Sequence, residues 1–136
     1  MTIPSGPVPS FTPTTGLQSG AALQKLAGLI GSTQNPITAK AGGLKLGATP
    51  ITAVKARVAT SASDLDSVLL PPGYPGLEIS IYNAAAHSIQ VFGAGNDTIN
   101  AVATGTGVTQ ATLVSAIYTC YDVVAGVGLW GRVLSA

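Results

Sequence analysis

His87 and Ser88 are the residues of this chain that come nearest to a catalytic pair. His87 is the single histidine, and Ser88 follows it directly. A Ser-His-Asp triad requires a nucleophile, a base and an orienting carboxylate held together by the fold. Asp97 could supply the carboxylate, but nothing in the spacing of the three residues marks such a site. We therefore interpret His87 as an exposed residue of a hairpin turn, and we predict no catalytic residue and no enzymatic activity.

The carboxylates are few and scattered: Asp64, Asp66, Glu78, Asp97 and Asp122. In an extended segment Asp64 and Asp66 would lie on the same side, but a calcium loop needs further oxygen ligands around them. Any two of the five could form the pair that a glycosidase uses, and the spacing selects no pair. We predict no metal site and no cofactor.

Two other local motifs have an ordinary structural interpretation. Cys120 is the single cysteine and lies in an apolar segment that is typical of a strand, without an adjacent basic residue to activate it. We predict a buried structural thiol. The segment Gly93–Asp97 is superficially similar to a phosphate-binding loop, but it lacks the lysine and the following helix that such a loop needs. We predict a β-turn there.

Four tyrosines could form a platform on which sugar rings stack: Tyr74, Tyr82, Tyr118 and Tyr121. Aromatic residues make up 5% of the chain, which is low for a carbohydrate-binding module. Packing in the core and at interfaces is the preferred interpretation, and carbohydrate binding stays an alternative.

Charge is scarce. Six Lys/Arg and five Asp/Glu give 8% charged residues in 136, whereas an ordinary domain has about 25%. The mean hydropathy is +0.46, yet no apolar run reaches the roughly 18 residues of a membrane helix. The basic residues form no patch, so we predict neither nucleic-acid nor membrane binding. A neutral surface of this kind favours a subunit that is buried against its own copies or a larger assembly.

Residues 1–48 read as an appendage. Residues 1–16 contain four of the nine prolines and predict an extended arm. They also lack the pattern of a secretion signal, so we expect synthesis in the host cytoplasm. Residues 17–31 have apolar residues at helical spacing and predict a short helix at about 18–30, and 32–49 read as a linker. The residues proposed to bind a partner are Pro4, Pro7, Pro9, Phe11, Pro13, Leu23, Leu26 and Ile30.

Residues 49–136 read as one all-β domain. Apolar and polar residues alternate in short runs that end at Gly, Pro or Asn. We predict a small antiparallel β-sandwich or barrel. Strands are expected at 54–58, 67–70, 77–82, 89–92 and 129–134, with a long strand or a bulged pair at 109–121.

Four short motifs of this domain occur in an order that resembles a known family. They are Val68–Pro71, Ile79–Asn83, Gly95–Asn100 and, near the end, Trp130. The string resembles a β-rich module of small virion structural proteins of tailed bacteriophages, and the resemblance covers about residues 49–136. It implies a structural role in the virion and looks most like a capsid decoration (cement) protein.

The resemblance also implies partners and a location. Decoration proteins of this kind are commonly trimers, so we expect a homo-oligomer, with a trimer favoured. The expected partner is the major capsid protein or another virion protein, and the expected location is the virion. A head-fibre or tail-fibre anchor and a carbohydrate-binding host-recognition module are the alternatives.

Overall fold

The computed structural model of the chain describes residues 32–135. The arm, the helix expected at about 18–30 and all the residues proposed to bind a partner lie outside this range, namely Pro4, Pro7, Pro9, Phe11, Pro13, Leu23, Leu26 and Ile30.

Within residues 32–135, ten strands form two sheets. In chain order the strands are β1 (Thr33–Thr38), β2 (Thr49–Pro50), β3 (Lys55–Thr60), β4 (Asp66–Leu69), β5 (Glu78–Asn83), β6 (Ile89–Phe92), β7 (Thr98–Ile99), β8 (Val108–Gln110), β9 (Ser115–Val124) and β10 (Val127–Leu134). One sheet has six strands in the order β1-β3-β5-β9-β10-β7, and the other has four in the order β2-β4-β6-β8. The predicted all-β class is confirmed for the described residues, which contain no helix.

The chain changes sheet at every connection from β1 to β9. Parallel neighbours need a crossover between them, and here a strand of the other sheet serves as that crossover. As a result β1, β3 and β5 are parallel, and so are β2, β4 and β6. The predicted antiparallel arrangement is therefore wrong for five of the eight strand pairs. Residue alternation determines which face is buried and carries no information about strand direction.

Alternation did locate most of the longer strands. The expected strands at 54–58, 67–70, 77–82, 89–92 and 129–134 are confirmed as β3, β4, β5, β6 and β10. In β5, Ile79 and Ile81 are fully buried, whereas Glu78 and Tyr82 are exposed.

The segment 109–121 differs from its prediction. It holds two strands of different sheets, because β8 ends at Gln110 and β9 begins at Ser115. Leu113 lies between them with φ of 62°, a left-handed conformation that interrupts an extended chain. The prediction of one long strand or a bulged pair is wrong.

The predicted linker at 32–49 is also wrong over its first part. Residues 33–38 form β1, which pairs with β3. Ile37 and Ala39 are buried and belong to the core. Pro36 suggested a break in regular structure, but β1 is an edge strand, where a residue without an N–H group is tolerated.

Gln110 on β8 joins the two sheets through buried hydrogen bonds. Its Nε2 donates to the carbonyl oxygens of Ile81 and Val114 at 2.9 and 2.8 Å. Its Oε1 accepts a hydrogen bond of 2.9 Å from the hydroxyl of Tyr118 on β9. Both Gln110 and Tyr118 are fully buried. Since a buried polar group without a partner costs about 1–3 kcal/mol, these bonds hold β8 against the six-stranded sheet.

Tyr118 should make the stability of the fold depend on pH in the alkaline range. Burial raises the pKa of its hydroxyl from 10.0 to about 12, although nearby Arg132 acts in the opposite direction. As the pH rises, the unfolded chain loses this proton first. The stabilising contribution is therefore complete below about pH 10 and is lost between about pH 10 and 12, by about 2–3 kcal/mol.

Urea unfolding of the native chain and of Tyr118→Phe, at about pH 9 and about pH 11.5, measures this contribution. The native chain should lose more unfolding free energy between the two conditions than the variant does. Equal losses in both proteins would contradict the prediction, because other titrating groups are common to both.

Candidate interaction surface

His87 lies in the connection between β5 and β6, two strands of different sheets, so the predicted hairpin turn is wrong. Its Nδ1 is 3.6 Å from Oδ1 of Asp64. The same Oδ1 accepts hydrogen bonds of 3.0 Å from both the N–H and the hydroxyl of Ser88. These bonds from Ser88, and secondarily His87, lower the pKa of Asp64. The serine hydroxyl is thus bound to the carboxylate instead of the imidazole, and the carboxylate beside His87 is not Asp97.

Asp64 and Asp66 have different surroundings. Leu65 between them has φ of 70°, so the segment is not extended, and the prediction that both carboxylates lie on one side is wrong. Asp64 is exposed, whereas Asp66 is 1% exposed. Asp66 accepts hydrogen bonds from the N–H groups of Ala62 and Ser63 at 2.8 and 3.1 Å. Its carboxylate closes a loop of the backbone.

Asp97 binds three donors from distant parts of the chain. Its carboxylate accepts hydrogen bonds from the N–H of Gly73 at 2.9 Å, the N–H of Gly128 at 2.6 Å and the indole Nε1 of Trp130 at 3.2 Å. A Cβ atom at Gly128 would lie 2.7 Å from the carboxylate, so only glycine allows this approach. The N–H of Asp97 donates to the carbonyl of Ala94 at 2.8 Å, which confirms the predicted β-turn.

Cys120 is fully buried, as predicted for a structural thiol. Burial raises the pKa of this thiol. Its Sγ donates to the carbonyl oxygen of Asp122 at 3.4 Å. The thiol is protonated and packed at neutral pH.

The carboxylates therefore bind backbone and side-chain donors instead of cations. Across residues 32–135, the sole ion pair joins Asp64 and His87, and no lysine or arginine approaches a carboxylate. In the same range no group of three or more His, Cys, Asp or Glu could hold a metal ion, and no helix could span a membrane. The few charges contribute little to the chemistry of the surface, and the exposed apolar side chains are its main feature.

The most exposed large apolar side chain of the described residues, Leu46, lies on the connection between β1 and β2, two residues from the exposed Leu44. We call residues 40–47 the leucine loop. Leu46 is 88% exposed and Leu44 is 66% exposed. The sequence contains a sign of this exposed site, the tripeptide Leu-Lys-Leu between two glycines. The interpretation of residues 32–49 as a linker did not take it into account.

The leucine loop is firmly attached to its neighbours. The hydroxyl of Ser67 donates to the carbonyl of Leu44 at 2.7 Å. The N–H of Gly42 donates to the buried Asp66 carboxylate at 3.3 Å. The ammonium of Lys45 donates to the carbonyl of Gly95. The two leucines are thus displayed from a fixed backbone.

A second apolar feature is a groove on the outer face of the six-stranded sheet. We call it the sheet groove. It has a volume of about 340 Å³, and strand pairing places Lys55 beside Ser80, Ser80 beside Ile117, and Tyr82 beside Ser115. These five residues all line it. They alternate with buried neighbours along their strands, so they form the outward side of the sheet.

The four tyrosines do not form one platform. Tyr118 is fully buried, and Tyr82 is in the sheet groove. Tyr121 packs its ring over Gly131, where a Cβ atom would lie 2.7 Å from Cε2 of the tyrosine. Tyr74 lies outside the strands, between β4 and β5. Tyr118 fits the core part of the interpretation of core and interface packing, and the interface part stays a prediction.

No protein-family model, curated protein or solved structure matches the chain.

The role of Asp97 can be measured by comparison with Asp122. Asp97→Ala leaves the N–H groups of Gly73 and Gly128 and the indole of Trp130 without their acceptor, and we expect a loss of about 3–5 kcal/mol of unfolding free energy. Asp122 is exposed, and among the described residues its side chain accepts a hydrogen bond only from the N–H of the next residue, Val123. Asp122→Ala should cost less than about 1 kcal/mol. Urea unfolding of both variants tests this, and comparable losses would show that Asp97 does not hold these segments together.

Proposed function

We propose that the chain is a structural protein of a tailed-bacteriophage virion, and specifically a capsid decoration (cement) protein. It forms a homo-oligomer, with a trimer favoured, and attaches to the major capsid protein or another virion protein. The motif order in residues 49–136 supports the family assignment. The observation that supports attachment to a partner is the leucine loop, which is exposed and held in place by hydrogen bonds.

The leucine loop has the properties of a binding anchor. Burial of a leucine side chain contributes about 1.5–3 kcal/mol, and Leu44 and Leu46 leave most of that energy unused in the isolated chain. Because the backbone of the loop is already ordered by Ser67 and Asp66, binding has little further loop entropy to offset. An apolar pocket on the partner would receive the two side chains.

Attachment through strand addition is disfavoured, which leaves side-chain contacts as the route. The edge strands β1 and β2 contain Pro36 and Pro50, which cannot donate a hydrogen bond. At the β8 edge, the carbonyl of Thr109 accepts a 2.6 Å hydrogen bond from Arg132. The β7 edge strand is two residues long, and so short an edge offers little backbone for another strand to pair with.

The N-terminal arm adds to this attachment in our proposal. One trimer would present three arms and three leucine loops to the shell. Weak contacts joined in this way raise the effective concentration of each remaining contact. Pro4 to Pro13 and the apolar residues Leu23, Leu26 and Ile30 would contact neighbouring subunits.

We also propose that the two sheets form a sandwich around a shared core. The buried bonds from Gln110 to Ile81 and Tyr118, which cross from one sheet to the other, support this arrangement.

The leucine loop can be tested with full-length chains. Leu44→Ser combined with Leu46→Ser should leave the unfolding free energy nearly unchanged, because neither side chain is buried. Binding to phage particles that lack the protein should fall by at least about tenfold, measured by co-sedimentation. Val133→Ser is the control, since Val133 is 65% exposed on β10. Equal binding of the double variant and the control would refute the anchor.

The virion assignment itself is tested by mass spectrometry of purified particles of the phage that encodes the chain. We expect the chain among the virion proteins, and gold-labelled antibody on the head. Absence from the particles contradicts the proposal, and labelling at the tail favours the fibre anchor.

The proposed trimer is tested by sedimentation equilibrium of the purified protein. The measured mass should be three times the 13.5 kDa of the chain, and the mass of a monomer would contradict the trimer.

A further inference from the structure

We propose that the sheet groove binds a carboxylated sugar, such as a uronic acid residue of a polysaccharide. The site is separate from the leucine loop and does not depend on the virion role. Its occupant follows from three features of the groove, namely its size, its aromatic wall and its polar groups.

The size and the apolar surface fit one or two sugar rings. The volume of about 340 Å³ falls in the range of small-ligand sites. Tyr82 is 38% exposed and Ile117 is 42% exposed. A sugar ring can pack its C–H face on an aromatic ring and direct its hydroxyls to the polar rim.

The polar rim consists of groups that the protein leaves unused. Within residues 32–135, no hydrogen bond engages the Lys55 ammonium, the Tyr82 hydroxyl, or the hydroxyls of Ser80 and Ser115. Apolar walls with a few convergent, available polar groups are typical of a binding site.

The charge that we propose for the ligand follows from Lys55, the cation that lines the groove. No carboxylate lies within ion-pair distance of Lys55. Arg57 donates to Oδ1 of Asn35 at 3.3 Å and keeps its charge, but it does not line the groove, and Lys55 is the one charged residue among those described that does. A doubly charged phosphate is usually held by several donors or by a bidentate arginine. One ammonium beside hydroxyl groups fits a singly charged carboxylate.

Isothermal titration of the full-length chain with a glucuronic-acid-containing tetrasaccharide tests the proposal. The matched probe is the same tetrasaccharide with its carboxyl groups reduced to alcohols. We expect the acidic sugar to bind about fivefold more tightly, the difference that one partly exposed ion pair can supply. Lys55→Gln should remove this difference and leave the reduced sugar unaffected. Tyr82→Ala should weaken both sugars by about tenfold.

Two controls have similar exposure outside the groove. Tyr74→Ala matches Tyr82, since Tyr74 is 40% exposed, and Lys40→Gln matches Lys55. Both should bind the acidic sugar like the native chain. No binding of either sugar overturns the proposal, as does equal binding of both by the native chain. A change of sedimentation mass in Tyr82→Ala would also overturn it, because the groove would then be covered by a second copy.

Discussion

The fold depends on buried polar side chains that satisfy the backbone where the chain changes sheet. Every crossing leaves N–H and C=O groups without a strand partner, and such groups are costly when buried. Asp66 accepts hydrogen bonds from the N–H of Gly42 in the connection before β2 and from those of Ala62 and Ser63 in the connection after β3. Asn83 donates to three carbonyls and accepts one N–H, and these groups lie in the connection after β5, at the last residue of β8 and just beyond it. Asp97 and Gln110 have corresponding roles. In the described residues, no buried side-chain N or O atom lacks a partner.

This use of polar residues explains why a chain with so few charges can fold. Asp66 and Asp97 are almost fully buried, so two of the five carboxylates are removed from the surface altogether. Asp64 and Asp122 remain exposed but bind backbone N–H groups next to them. Ion pairs at a surface contribute little to stability, so having a single one within residues 32–135 costs the fold little. The scarcity of charge instead leaves apolar side chains exposed to solvent, at positions where a soluble monomer usually has charged residues.

Residue alternation allowed the all-β class, five strand positions and the burial of Cys120 to be predicted from the sequence. Strand direction could not be predicted, because a Pro/Gly turn such as that after β4 can start a hairpin or lead the chain to the other sheet. Strand β1 was missed because Asn35 and Pro36 are typical of loops, and only its pairing with β3 reveals it. The leucine loop was missed for a related reason: exposure depends on which neighbours fold against a residue. The sheet groove was beyond sequence reasoning, since strand register brings Lys55 and Ile117 together from positions far apart in the chain.

The buried carboxylate of Asp66 closes the backbone loop at residues 62–63 and also helps to order the leucine loop at the surface. Asp66 binds Gly42, and the adjacent Ser67 binds the carbonyl of Leu44, so β4 fixes the loop that exposes two leucines. An apolar side chain on a mobile loop would fold back onto the protein, whereas a fixed backbone keeps it available to a partner. The energy that orders the loop is supplied during folding, which leaves more of the later burial energy for binding. If the proposed attachment holds, stability and attachment share one set of hydrogen bonds, so a variant that weakens the bonds of Asp66 would reduce both, whereas a variant of the leucine side chains would affect attachment alone.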